Sequence, residues 1–235
     1  MLLYLIIFYS GACCASFLTV CAWRLPIEKS IITPRSHCDC CQQPLAWYDL
    51  LPLFSYLYLR GHCRTCHAQI KPTFLFSELA GGLLACFIFS QALSWDLAYL
   101  LVILFYISLV DLFYYILYPI PLFASLAPLF YLYWPQNHWL GAVAFCCGLL
   151  LTTYWAPGFG FGDVELLTIL TLWVGLEPVL RILLAACLIC ILFQGIKKIW
   201  PSPKQATRQI PFIPYISMGV IISLLQTPPQ YLFLL

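Results

Sequence analysis

The sequence predicts an all-α polytopic membrane protein of about eight transmembrane helices, carrying a small zinc-stapled cytoplasmic loop. Three observations lead there. Hydrophobic residues make up 63% of the 235 residues and charged ones 9%, against a usual charged fraction of about 25%. The apolar residues fall in long runs, most of them near the ~20 residues a helix needs to cross a bilayer. Lysine and arginine gather in two blocks: Arg24, Lys29, Arg35, Arg60, Arg64 and Lys71, then Lys197, Lys198, Lys204 and Arg208, with Arg181 apart. A soluble globular enzyme does not need this much apolar surface.

The first apolar run covers roughly 2–22. No basic residue precedes it and Arg24 follows it, which predicts a retained first span with its N-terminus outside rather than a cleaved signal. Seven further runs follow, at roughly 74–93, 97–116, 119–134, 138–156, 164–176, 179–197 and 211–227. Those at 119–134 and 164–176 are short, as expected of tilted, broken or partly re-entrant segments. Cytoplasmic loops are enriched in Lys and Arg. With eight spans both basic blocks come out inside; removing one span would put them on opposite sides. The domains expected are a first transmembrane helix (1–23), a cytoplasmic four-cysteine loop (24–73) and a multi-helix membrane domain (74–235).

In the loop, Cys38-x-x-Cys41 and Cys63-x-x-Cys66 enclose 21 residues, 42–62. Each CxxC pair grips a metal from a tight turn, and two pairs complete the closed all-sulfur geometry of structural zinc. Cys40 competes with Cys41 for the first knuckle, and the regular spacing favours Cys41. His37, His62 and His67 flank the site, and one of them replacing a cysteine is the alternative ligand set. The loop reads as polar enough to sit in water and too small to build much core. The other nine of the 13 cysteines lie mostly in apolar runs, where cysteine behaves as a small hydrophobe. A disulfide framework is not expected.

Two carboxylates stand against the apolar background. Asp111 closes an apolar stretch near the inner end of the third span, and Asp163 follows Gly158-Phe159-Gly160-Phe161-Gly162 and opens the sixth. The same alternation of spans puts both near the inner membrane face. Ionisable groups at membrane depth are costly and commonly functional. Two carboxylates held together share a proton and activate a water, one as base and the other as acid, which is peptide hydrolysis without a covalent intermediate. The structural readings are that Asp163 is an N-cap and that Asp111 is solvated at a helix end. Glu78, near the start of the second span, is the substitute carboxylate, or else a solvated or ion-paired interfacial residue. Glu165 falls on the far side of a helix from Asp163.

Several motifs resemble the type IV prepilin leader peptidases, aspartic membrane peptidases of the GxGD class. Ala15-Ser16-Phe17-Leu18-Thr19-Val20 with Trp23-Arg24-Leu25-Pro26 resembles the family's opening, with Ala for Gly and Thr for Asn. Arg35-Ser36-His37-Cys38, the two CxxC pairs, Leu51-Pro52-Leu53-Phe54-Ser55-Tyr56-Leu57 and Leu59-Arg60-Gly61-His62-Cys63 resemble its cytoplasmic zinc loop. Glu78-Leu79 resembles the acidic start of its second span, and Gly160-Phe161-Gly162-Asp163 its GxGD. The resemblance implies Asp111 and Asp163 as the catalytic pair. It also implies a substrate class: type IV pilin, pseudopilin or competence pseudopilin precursors, cut behind a short basic leader at the cytoplasmic face of the bacterial inner membrane. N-methylation of the new terminus with S-adenosylmethionine is a further implication, although no glycine-rich cofactor loop follows a strand here. Lipid is the other expected partner, and nucleic acid is not expected.

Two departures stand beside the motifs. Leu117-Tyr118-Pro119 replaces Leu-Pro-Asp/Asn, and Glu165 replaces a lysine two residues past the GxGD aspartate. The alternatives from the residues are a GxGD peptidase with other membrane substrates, a carrier passing protons or cations through Asp111 and Asp163, and an inactive zinc-dependent scaffold. The zinc loop disfavours the carrier, and no internal repeat supports it.

Overall fold

The computed structural model describes residues 1–118, 120–126, 139–155, 160–199 and 210–226. Gly158, Pro119, Lys204 and Arg208 lie outside the described residues, as does most of the expected 119–134 segment. Among the described residues the regular structure is helical, with two isolated β-bridges and no strand. The chain divides into two compact units, Met1–Ser94 and Trp95–Leu235.

The first unit is built on two helices, α1 (Leu2–Arg24) and α3 (Pro72–Ser90). Both are predominantly apolar, as spanning helices are. Pro72 opens α3 at a position where the missing N–H costs nothing. The two helices touch through small residues: a Cβ on Gly81 would collide with Ala15, and one on Gly11 with Ala85. Small residues at such a crossing let backbones approach, which supplies packing where lipid removes the hydrophobic drive. Between the helices run two 3₁₀ turns (Leu25–Ile27 and Trp47–Leu50) and the short α2 (Phe54–Tyr58). Arg24 fastens the start of this connection, its Nη1 donating to the carbonyls of Ser30, Ile31 and Pro34 at 3.1, 3.2 and 2.9 Å.

The second unit contains α4 (Trp95–Tyr114), helical residues at 120–126 (α5), α6 (Trp139–Trp155), α7 (Phe161–Val174), α8 (Leu176–Ile199) and α9 (Ile213–Gln226). On α4, Leu97, Leu100, Leu104, Ile107 and Asp111 fall on one buried stripe, the three- and four-residue spacing of a helix face. Asp111 therefore continues a core-facing stripe instead of ending in solvent. From Leu166 to Val174, α7 is buried apart from Thr168, which makes it the inner helix of this unit. Leu184, Leu188 and Ile191 on α8 are exposed, as lipid-facing side chains are.

Among the described residues, four helical stretches are long and apolar enough to cross a membrane: Leu2–Ile27, Pro72–Ser90, Trp95–Tyr114 and Leu176–Ile199. Shorter apolar helices accompany them: α6 with 17 residues, α7 and α9 with 14 each. The expected class, an all-helical integral membrane protein with a cysteine loop, is the one observed. The sixth segment starts three residues earlier than its hydropathy suggested, because Gly160 is the N-cap and Phe161 the first helical residue.

Candidate active site and metal centre

Asp111 sits on the last turn of α4 and is 7% exposed. Its Oδ2 accepts the N–H of Ile213 at 3.0 Å, and the Phe212 amide bonds it as well. These amides belong to the start of α9, so the carboxylate caps another helix's N-terminus, where unpaired amides and the helix dipole favour negative charge. One turn back, the hydroxyls of Ser108 and Ser217 meet at 2.7 Å and tie α4 to α9 at the same edge. Asp111 is thus held by tertiary contacts rather than solvated.

Asp163 is the third residue of α7, not its cap. Its carboxylate reaches back to the N–H of Gly160, the N-cap residue, the return half of a capping box. A Cβ on Gly160 would stand 3.4 Å from Asp163 Oδ2, and one on Gly162 would stand 2.6 Å from the Cβ of Leu117. The two glycines keep one approach open to the carboxylate and another to the chain leaving α4. Within this unit the contact of Gly162 with Leu117 brings the first turn of α7, which carries Asp163, against the chain leaving the last turn of α4, which carries Asp111. The two carboxylates singled out in the sequence thus stand on adjoining elements, one on a buried α4 stripe and the other on the first turn of α7. Glu165 lies on the exposed side of α7, as its spacing from Asp163 implied.

In the first unit, one ligand atom from each of Cys38, Cys41, Cys63 and Cys66 lies within 4.8 Å of the others. Cys38 Sγ and Cys66 Sγ are 3.7 Å apart, close to the ~3.8 Å edge of a tetrahedron with Zn–S bonds of about 2.3 Å. The donor set fits a closed zinc site. Cys40 is exposed and outside the cluster, and no histidine among the described residues joins it. The Nδ1 atoms of His37 and His62 instead contact the carbonyls of Arg35 and Arg60, each at 2.8 Å.

The two knuckles are copies of one turn, displaced by 25 residues (38 to 63). Cys38 N–H donates to Gln43 O at 3.0 Å, and Cys63 N–H to Ala68 O at 2.9 Å. Gln42 and His67 both take left-handed φ, 57° and 56°. The bridges His37–Pro44 and His62–Gln69 close the two turns. The sequence carried this repeat in Arg-x-His-Cys-x-x-Cys, twice, although the CxxC spacing alone drew attention to the site. The backbone amides of Cys66 and Thr65 hold the Cys63 thiol down to about 6. Against the pull of the Ala68 amide, burial and the three neighbouring thiols push Cys66 up to about 12. A cation binds such a cluster by replacing thiol protons.

Glu78 is half-buried and held by hydrogen bonds to protein groups. Its Oε1 accepts the Ser16 hydroxyl at 2.9 Å, and its Oε2 the Leu53 N–H at 2.8 Å. A cavity of about 1010 Å³ runs through this unit, lined by residues that include Ser16, Arg24, Cys38, Asp49, Ser55 and Glu78. Most of its charges are already engaged: Arg24 by carbonyls, Asp49 by Arg64 at 2.7 Å, and Glu78 as described.

Residues 9–92 match the bacterial peptidase A24 N-terminal domain, and residues 98–195 match the type IV leader peptidase family. The chain is 30% identical over 222 residues to the prepilin leader peptidase/N-methyltransferase of Aeromonas hydrophila, covering 83% of this chain and 73% of that protein. It belongs to the type IV leader peptidase family. The type 4 prepilin-like proteins leader peptide-processing enzyme of an enterotoxigenic Escherichia coli strain is 29% identical over 251 residues, covering 91% and 90% of the two chains. A shorter match, 45% over 78 residues, links 33% of this chain to 23% of the Myxococcus xanthus prepilin leader peptidase/N-methyltransferase. No solved structure matches. The type IV leader peptidase match takes in both Asp111 and Asp163, and the A24 N-terminal match takes in all four clustered cysteines and Glu78.

Three features of this family member escaped the sequence reading. The amides of Phe212 and Ile213 reach Asp111 from about 100 residues away (|i−j| of 102); Pro211 and Pro214, flanking a helix start, were the available signal. Leu117 was read as part of a departure from the family motif, and it is the residue that faces Gly162. The Leu53–Glu78 bond had no sequence signal of its own.

Proposed function

We propose that this leader peptidase is a membrane aspartic endopeptidase that removes the short basic leader from type IV prepilin-like precursors. The observation carrying the proposal is geometric: Asp111 lies on the last turn of α4, Asp163 on the first turn of α7, and Gly162 beside Asp163 meets Leu117 in the chain leaving α4, with both carboxylates inside the type IV leader peptidase match. In this reading the pair shares one proton. The ionised member takes a proton from a water, whose oxygen attacks the scissile carbonyl, and the protonated member delivers its proton to the leaving amine. The Phe212 and Ile213 amides orient Asp111, and the Gly160 amide orients Asp163. The names of the relatives support prepilin-like precursors as the substrate class.

The distribution of Lys and Arg supports a topology with the N-terminus outside and with the cysteine loop and both aspartates on the cytoplasmic side of the bacterial inner membrane. The domains we propose are a first span (1–23), a cytoplasmic loop (24–73) held by structural zinc on Cys38, Cys41, Cys63 and Cys66, and a membrane peptidase domain (74–235). Methylation of the new amino terminus is the second activity proposed. S-adenosylmethionine supplies the methyl group, and the relatives named N-methyltransferases support this step.

The test uses the full chain in proteoliposomes with a model prepilin and labelled S-adenosylmethionine. Mass spectrometry of the product is expected to find a mature chain starting just after the leader and carrying one added methyl. An uncut precursor overturns the peptidase reading, and a cut but unmethylated product overturns the methylation reading alone.

A further inference from the structure

The stretch from Leu50 to Leu59 carries no charged residue, which is unusual for a loop expected to sit in water. Its helix, α2, divides its neighbourhood into two faces. Pro52, Ser55, Tyr56 and Leu59 line the cavity of the first unit. Leu51, Phe54, Leu57 and Tyr58 face outward and are 38%, 64%, 65% and 79% exposed. Within α2, Leu57 and Tyr58 follow Phe54 by three and four residues, the spacing of one helix face, and Leu51 extends the exposed side just before the helix.

The level of this face follows from the helices beside it. With 19 residues, α3 is about 28 Å long at 1.5 Å per residue. It needs nearly all of that length to cross a hydrocarbon core of about 30 Å, so its first residues stand at the boundary. Lys71 Nζ lies 4.4 Å from the ring centre of Trp23, a lysine and a tryptophan together at the level such residues favour. Ser16 precedes Trp23 by seven residues and Glu78 follows Lys71 by seven, so both lie about 10 Å further in. Glu78 there accepts the Leu53 N–H at 2.8 Å. The Phe54 ring lies deeper still, 5.7 Å from the ring of Tyr9 on α1.

We propose that residues 51–58 re-enter the membrane from the loop side and lay their outer face against lipid acyl chains. The backbone suits that place. Irregular backbone survives at membrane depth only when its polar groups are satisfied or line a wet cavity. Leu53 N–H is taken by Glu78, and the N–H groups of Phe54, Ser55, Leu57, Leu59 and Gly61 are all bonded within the stretch from Leu51 to Gly61. Leu53 holds a left-handed φ of 64°, a conformation costly for a branched residue, and its bond to Glu78 secures it. Glu78 thereby gains a second meaning: it anchors a re-entrant segment whose inner side borders the cavity and whose outer side borders lipid. The inference stands independently of the proposed peptidase activity.

The test reconstitutes the full chain in phosphatidylethanolamine and phosphatidylglycerol vesicles doped with a phospholipid bearing a diazirine on its acyl chain. After photolysis, peptide mass mapping locates the inserted lipid. Residues 51–58 are expected to be labelled as heavily as α1, while the knuckle tips at 39–43 and 64–68 stay unlabelled. If 51–58 carry no more label than the knuckle tips, the face lies in water or against protein, and the proposal is overturned. Amide exchange in the same vesicles gives a second reading: 53–59 are expected to exchange as slowly as α3, and exchange as fast as at the knuckle tips contradicts it.

Discussion

Gly162 and Leu117 meet where the chain leaving α4 passes the first turn of α7: a Cβ on Gly162 would stand 2.6 Å from the Cβ of Leu117. Two segments that each follow or carry a candidate carboxylate are thereby pressed together, and the contact leaves no room for a side chain.

Gly162→Ala is therefore expected to lower thermal stability by about 1–3 kcal/mol, the usual cost of overpacking, and to lose most cleavage activity. Leu117→Gly in the same chain removes the obstructing Cβ and is expected to restore stability and activity in part. A double-mutant cycle measured by detergent-micelle melting and by prepilin cleavage checks this. Additive losses would show that the two residues do not share a contact.

The crossing of α1 and α3 is equally intolerant. Gly81 meets Ala15, and Gly11 meets Ala85 and the Gly81 carbonyl. Gly81→Val is expected to separate the helices and expose the cysteine loop to protease, whereas Gly148→Ala, with nothing within 4 Å of its Cβ position, is expected to leave the protein unchanged. Limited proteolysis of both variants in membranes checks the contrast.

The cysteine cluster should hold one zinc per chain at neutral pH and release it in acid. The sign follows from the ligands: zinc binds thiolates, so each thiol must lose its proton and protons compete with the metal. Zinc content is thus expected to be full at neutral pH and to fall in acid, with protease resistance of the loop falling alongside. Cys38→Ser with Cys66→Ser should lose both at neutral pH. Unchanged zinc in that variant would place the metal elsewhere.

Glu78→Gln keeps a carbonyl for the Leu53 N–H and is expected to preserve the 51–58 segment, while Glu78→Leu is expected to free it. Amide exchange at Leu53 in the two variants distinguishes them, faster exchange being expected in the leucine variant alone.

Much of the architecture was legible in the chain because membrane rules are simple. Long apolar runs and two basic blocks fixed the helical class, and the spacing of Cys38, Cys41, Cys63 and Cys66 fixed a cluster whose geometry depends mostly on local turns. Asp111 and Asp163 stood out because charge is rare in apolar runs. What escaped depends on long-range packing. Nothing local to Asp111 announces the Phe212 and Ile213 amides, and nothing local to Leu117 announces Gly162. Glu78 looked like an interfacial carboxylate because its partner, the Leu53 N–H, is a backbone group that no side-chain pattern records. The stretch from Leu50 to Leu59 is the instructive case. Read as part of a cysteine loop it belonged in water, although its lack of charge already argued otherwise.

The central claim is that Asp111 and Asp163 act together in peptide hydrolysis. The most direct measurement is cleavage of a model prepilin by wild type, Asp111→Asn and Asp163→Asn in proteoliposomes, with membrane insertion and zinc content checked for each. The prediction is that each substitution abolishes cleavage while insertion and zinc stay unchanged, and that the double variant is no worse than either alone. A single variant that inserts normally and still cleaves at the wild-type rate would contradict the assignment.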